Sequence, residues 1–148
     1  MILGQDAEQR FTDCEEVLRR AGLKLTHQRL EIYRELVSST EHPDAETLYG
    51  SVRERLPTIS LDTVYRTLRA LEAKGVITRA GVVDDRGRFD ANTTSHQHFV
   101  CTQCGRVMDV FDDELADITP PDEARRLGTV QEVHVEFRGI CQRCASNR

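Results

Sequence analysis

The sequence predicts an α+β fold: an N-terminal winged helix-turn-helix lobe, then a small α/β lobe stapled by a structural metal. Segments with helical spacing occupy the first half of the chain. Two β-rich runs follow around the turn signal Asp85-Arg86-Gly87, and the later strands lie between two C-x-x-C pairs, Cys101/Cys104 and Cys141/Cys144. Helices followed by segregated strands belong to the α+β class, and a paired C-x-x-C pattern brackets a metal-closed lobe.

Each element has a local reason. "FTDCEEVLRRAG" places Val17, Leu18 and Ala21 near one face and stops at Gly22. Thr26 is an N-cap for "HQRLEIYRELVSS", in which Leu30, Tyr33, Leu36 and Val37 follow the helical period. Asp44 caps "AETLYGSVRERL", with Ala45, Leu48, Val52 and Leu56 as its apolar stripe and Pro57 beyond it. Ser60 caps "LDTVYRTLRALEAKG", where Leu61, Val64, Leu68 and Leu71 form one stripe and Gly75 is the stop. "VITRAGVVDDRGRFDAN" reads as a hairpin. In the second half, "HQHFV" and "RVMDVF" flank the first cysteine pair as an antiparallel hairpin. "DDELADI" is a short acidic helix, "TPPDEARRLG" a loop or broken helix, and "VQEVHVEFRGI" a strand entering the last cysteine pair.

The expected organisation is a winged-helix DNA-binding domain over 1–83, a hinge over 84–92, and a dimerisation and metal-binding domain over 93–148. Lobes this small need a staple such as a metal. The opening "MILGQDAEQRFTD" lacks the features of a signal peptide and no apolar run reaches membrane-spanning length, so a cytoplasmic protein with no membrane partner is expected. In a reducing compartment five cysteines point to metal or redox chemistry rather than to a disulfide framework. A net charge of -5 confines any DNA-binding surface to a local patch.

The fourth helix carries that patch. Its apolar stripe leaves Asp62, Arg66 and Arg69 outward, with Tyr65 at the border. Three helices, a reading helix and a hairpin define a winged helix-turn-helix, whose last helix enters the major groove of double-stranded DNA. A solvated helix face is the plainer alternative. A reader of this kind uses two half-sites, so a homodimer on a palindromic operator is expected.

Four thiolates, Cys101, Cys104, Cys141 and Cys144, close a tetrahedral Zn(II) site that serves as a folding staple. The competing reading is a dithiol switch. Cys14 stands apart from both pairs and reads as a small core residue. With zinc filled by sulfur, the histidines require a separate site. His96 and His98 point to one side of their strand, Asp109 returns on the neighbouring strand, Asp90 ends the wing, and His42 precedes the third helix. This nitrogen and oxygen set suits Fe(II) or Mn(II), and less selectively Zn(II) or Co(II). Ordinary surface histidines are the alternative, and spacing alone ranks His42 and Asp90 last as ligands.

Along nearly its whole length the chain resembles the ferric uptake regulator superfamily, through "GLKLTHQRLEIYREL", "EHPDAETLY", "TISLDTVYRTLRALEAKGVI", "RFDANTTSHQHFVCTQCGRVMDV" and "FRGICQRC". It is most similar to the peroxide-sensing PerR branch. That resemblance implies a regulatory Fe(II) or Mn(II) on His42, Asp90, His96, His98 and Asp109, where iron sensors of the family tend to carry glutamate in the last position. It implies a repressor, not an enzyme, that leaves its operator when peroxide oxidises His42 or His96 at bound iron. Mn(II) would repress without sensing. A zinc sensor is expected to bring a cysteine into this site, and 90–100 has none. Some relatives carry a third site with a histidine in the last strand. The register of His134 on that strand turns it to the opposite face.

For DNA, Tyr65 and Arg66 are expected toward bases and phosphates, Arg69 and Thr63 on the backbone, and Lys24 from the start of the second helix. Iron-responsive or manganese-responsive repression without peroxide sensing is the alternative function. A zinc hydrolase has no H-E-x-x-H helix in its support, and a thiol switch predicts release of zinc by peroxide.

Overall fold

The computed structural model describes residues 13–83, 86–94 and 96–147. Two compact units divide the chain, 1–93 and 94–148. Residues 1–12, which include the start of the first expected helix, and Asp85 of the expected turn lie outside the described residues.

The first unit is built from capped helices. Helix α1 covers residues 13–20, α2 His27–Ser38, α3 Ala45–Val52 and α4 Leu61–Ala73. The N-caps are those the sequence predicts: Thr26 accepts from Arg29 N at 3.2 Å, Asp44 from Thr47 N at 2.7 Å, and Ser60 from Thr63 N at 3.1 Å. Each satisfies an amide left without an intrahelical partner. At its other end α4 closes in a Schellman motif, with Gly75 N–H donating to Glu72 O and Val76 N–H to Leu71 O. Gly75 takes a φ of 70°, which only glycine adopts without strain. Leu18, Ile32, Leu36, Leu48, Val52, Val64, Leu68 and Leu71 are fully buried and form one core. The apolar stripes of the helices thus all face inward.

The wing is an antiparallel hairpin of β1, Thr78–Val83, and β2, Arg86–Asp90. Val83 pairs with Arg86, so Arg86 and Gly87 belong to the strand rather than to the turn. The register shifts between Arg79 and Val82, around Gly81 with a φ of 108°, as in a β-bulge. β2 lies in the segment expected to be a hinge and is part of the first unit. Its Phe89 enters the helical core.

The second unit is a three-stranded sheet in the order β4-β3-β5. β3, Gln97–Cys101, runs antiparallel to β4, Val107–Val110, and parallel to β5, Glu136–Gly139. Short helices α5, Asp113–Ala116, and α6, Asp122–Leu127, lie between β4 and β5, and α7, Gln142–Ser146, follows. The long C-terminal strand expected from "VQEVHVEFRGI" is shorter. A strand needs a neighbour to complete its ladder, and β3 offers one only from His98 to Cys101, opposite residues 136–139. His134 therefore lies off the strand, exposed and paired with Glu132 at 2.8 Å, so the register argument does not apply to it.

Candidate metal centres

β3 and β4 form a knuckle around the first cysteine pair. Gly105 N–H donates to Cys101 O and Cys101 N–H to Arg106 O, both at 2.9 Å. Thr102 N–H reaches Gly139 O at 2.8 Å, which brings the end of β5 and the start of α7 to the same place. Cys141 is the N-cap of α7 and Cys144 lies inside it, a helix the sequence reading did not anticipate.

The four sulfurs lie within 4.8 Å of one another, with Cys101–Cys144 at 4.0 Å and Cys104–Cys141 at 3.9 Å. The edge of a tetrahedron with Zn–S bonds of roughly 2.3 Å is about 3.8 Å, and none of the cysteines is in a disulfide. The N–H groups of Cys104 and Cys141 point at Cys101 Sγ from 3.5 and 3.3 Å and pull its pKa down to about 6. Cys144 is pushed up to about 12, chiefly by its hydrogen bond with Cys141. The crowded sulfurs thus differ in how readily they ionise, and a dication held among them would relieve the crowding. The donor set fits structural Zn(II).

Beside it in the second unit, His98 pairs with Asp109 across β3 and β4. Asp109 Oδ1 lies 3.3 Å from His96 Nε2 and 3.4 Å from His98 Nε2. The two imidazoles meet edge to face at 4.6 Å, and Phe111 stacks on His96 at 5.3 Å. Gln97 between them is buried, and Phe99 packs against the cysteine cluster, as strand alternation requires. His96 Nδ1 is 2.6 Å from Thr94 O. A ring N–H donated to that carbonyl leaves Nε2 as the lone-pair donor, the arrangement that orients metal-binding histidines. Sequence reading had no signal for Thr94, because a backbone carbonyl has no residue type.

In the first unit the other two predicted ligands also meet. His42 Nε2 is 3.2 Å from Asp90 Oδ2, and both side chains are buried. Asn92 N–H donates to Asp90 Oδ1 at 2.8 Å. His42 has a φ of 51°, in the left-handed region that non-glycine residues seldom occupy.

The predicted DNA contacts fall on the exposed side of the first unit. Tyr65 and Arg69 line an open cavity of about 230 Å³ floored by Leu68 and Phe89, and the wing adds Arg79 and Arg86 to it. Those two wing arginines were not among the predicted contacts; Arg79 is paired with Glu72 at 2.8 Å and Arg86 with Glu46 at 3.1 Å. Arg66 is paired with Asp62 at 2.9 Å, both exposed. Thr63 Oγ1 bonds Ser60 Oγ at 2.8 Å, and Lys24 is exposed ahead of α2. No helix among the described residues is long and apolar enough to cross a membrane.

A helix-turn-helix with a wing, joined to a lobe carrying a four-cysteine cluster, defines a metal-linked winged-helix protein. Residues 20–138 match the model of the Ferric uptake regulator family, and the chain belongs to that family. Among curated relatives, the Peroxide-responsive repressor PerR of Staphylococcus aureus (strain Mu50) is 35% identical over 127 residues, covering 86% of each chain. Its namesake in Staphylococcus epidermidis is 33% identical, covering 86% of this chain and 85% of the relative. Among solved structures, a zinc-bound manganese uptake regulator superposes with a TM-score of 0.66 at 28% identity, covering 86% of this chain and 98% of that one.

Proposed function

We propose that this member of the family is a transcriptional repressor that binds operator DNA as a homodimer when its regulatory metal is present, and releases it when peroxide oxidises a histidine ligand. The observation that carries the reading is a nitrogen and oxygen donor set, His96, His98 and Asp109, separate from the sulfur set that holds structural zinc. His42 and Asp90 complete the regulatory ligands. Such donors suit Fe(II) or Mn(II), whereas the thiolates take Zn(II).

The residues divide the work. Thr94 fixes the His96 tautomer, Asp109 aligns both imidazoles, and Asn92 holds the Asp90 carboxylate. Fe(II) held by these residues would lend the electron that cleaves the peroxide O–O bond and recover it as the imidazole is oxidised, so that the two electrons peroxide accepts come from the histidine. The carbon between the two ring nitrogens of His42 or His96 gains one oxygen, giving 2-oxo-histidine, and water leaves. The altered ring is a poorer donor, so the ligand set weakens. The protein is consumed as a reactant and is not an enzyme in this scheme.

DNA binding is assigned to α4 and the wing, with Tyr65, Arg66 and Arg69 joined by Arg79 and Arg86, and with Lys24 and Thr63 at the margins. A palindromic operator follows from two-fold symmetry. The second unit supports dimerisation. Phe111, Leu127, Val133, Phe137 and Ile140 are exposed, and β5 is an edge strand; an open apolar edge is a place for a second copy to pair.

The test is peptide mass spectrometry on protein loaded anaerobically with Fe(II) and given a small excess of peroxide, beside a Mn(II)-loaded control and an operator-binding assay. One added oxygen on the His42 or His96 peptide, with iron only and with loss of DNA binding, is the expected result. Unmodified histidines with metal-governed binding would leave the iron-responsive or manganese-responsive alternative, and oxidation confined to the cysteines would mean a thiol switch.

A further inference from the structure

Three consecutive wing residues grip the loop that carries His42. Arg88 spans two carbonyls, donating from Nε to His42 O and from Nη2 to Glu41 O at 2.6 Å. Phe89 N–H donates to Pro43 O at 3.1 Å. Asp90 meets the His42 ring itself at 3.2 Å. By strand alternation residues 86, 88 and 90 share one face of β2, and Arg86 extends the row, 3.1 Å from Glu46 and 3.6 Å from Asp44, the cap of α3. The loop they hold is strained. His42 sits at a φ of 51° directly before a proline, where a helical backbone is already disfavoured. Such a conformation lasts only where its surroundings enforce it.

We infer that Arg88 is a positioning residue, holding His42 in the left-handed conformation that presents its imidazole to Asp90 and so tying this half of the regulatory site to the wing. The inference rests on the reading of His42 and Asp90 as metal ligands. β2 belongs to the hairpin and is bonded along its length to the ligand loop, so displacement of the wing moves Glu41 and His42 with it. Operator DNA that fixes the wing therefore raises metal affinity, and by thermodynamic reciprocity metal raises operator affinity.

The test uses full-length, zinc-loaded Arg88→Gln and Arg88→Lys, with His42→Ala as reference. Hydrogen exchange over 41–49 and 86–92 is measured without regulatory metal, and Mn(II) affinity with and without operator. Arg88→Gln is expected to exchange faster in both segments, to bind Mn(II) about tenfold or more weakly, and to show less gain from operator. Arg88→Lys should fall between, because an ammonium cannot bridge two carbonyls as a planar fork does. It also carries the test should Arg88→Gln fail to fold. Wild-type exchange and Mn(II) affinity in both Arg88 variants, with affinity lost in His42→Ala, would overturn the clamp and leave the ligand reading standing. Wild-type affinity in His42→Ala would overturn the ligand reading and the clamp with it.

Discussion

His98 and Asp109 are cross-strand partners, with Nε2 3.4 Å from Oδ1. A two-strand hairpin closed by the cysteine knuckle sets that separation, so the zinc staple and the nitrogen and oxygen donors share one scaffold. Damage to one donor should be local, whereas damage to the staple should reach both sites.

Asp109→Asn and His98→Ala should each weaken Mn(II) binding by roughly tenfold or more, the scale seen when even an outer partner of a metal ligand is lost. Zinc content should stay that of the wild type. Equilibrium dialysis with elemental analysis checks both, and loss of zinc from either variant would count against two separate sites.

Cys141→Ser removes a zinc ligand while leaving a residue at the N-cap of α7 that suits it, since Cys141 itself makes no side-chain cap bond. Beyond the cysteine cluster the second unit has few fully buried side chains among the described residues, Val100 and Val107 chief among them. The variant should lose zinc and its amide protection in β3 and β5. Hydrogen exchange resolved by peptide should show the first unit protected as before.

Leu68 is fully buried on the stripe of α4 that faces the core. Leu68→Ala should cost about 2–5 kcal/mol of stability in the first unit, the usual cost of an aliphatic truncation in a packed core. Urea denaturation followed by circular dichroism gives the number; a loss under about 1 kcal/mol would mean that Leu68 is not packed in a close core.

Burial pushes the Tyr33 hydroxyl up to about 12, from an ordinary 10.0. A group whose folded pKa is raised adds stability that is complete below the unfolded value and is lost as pH climbs through the folded one. The Tyr33 contribution is therefore intact below pH 10 and disappears toward pH 12. Cys14, raised by burial in the same core, should resist alkylation at neutral pH until the unit unfolds. Ultraviolet titration and thiol labelling read the two effects, and rapid labelling of native Cys14 would contradict them.

Asp62 holds Arg66 in an exposed pair at 2.9 Å. Asp62→Ala frees the guanidinium and removes a negative charge from the reading face, and should tighten DNA binding by roughly fivefold, since surface pairs are worth about 1 kcal/mol or less. Arg69→Ala should weaken it and lower the salt slope by about 1. Fluorescence anisotropy across a salt series separates these outcomes.

Local signals carried much of this fold. Thr26, Asp44 and Ser60 announce helix starts because a side-chain oxygen must serve orphan amides, and Gly75 announces a stop because it alone turns left-handed at no cost. The two C-x-x-C pairs announce a cluster because short spacing allows few other arrangements of soft ligands. The chain alone thus determined the helices of its first unit, its hairpins and the grouping of its sulfurs, but not α7. Only the tertiary structure decided the rest. The end of the C-terminal strand depends on how far β3 extends beside it; the left-handed backbone of His42 depends on Arg88, forty-six residues away; and the tautomer of His96 depends on a carbonyl. These are contacts between groups distant in sequence or common to every residue, so no local pattern of side chains encodes them.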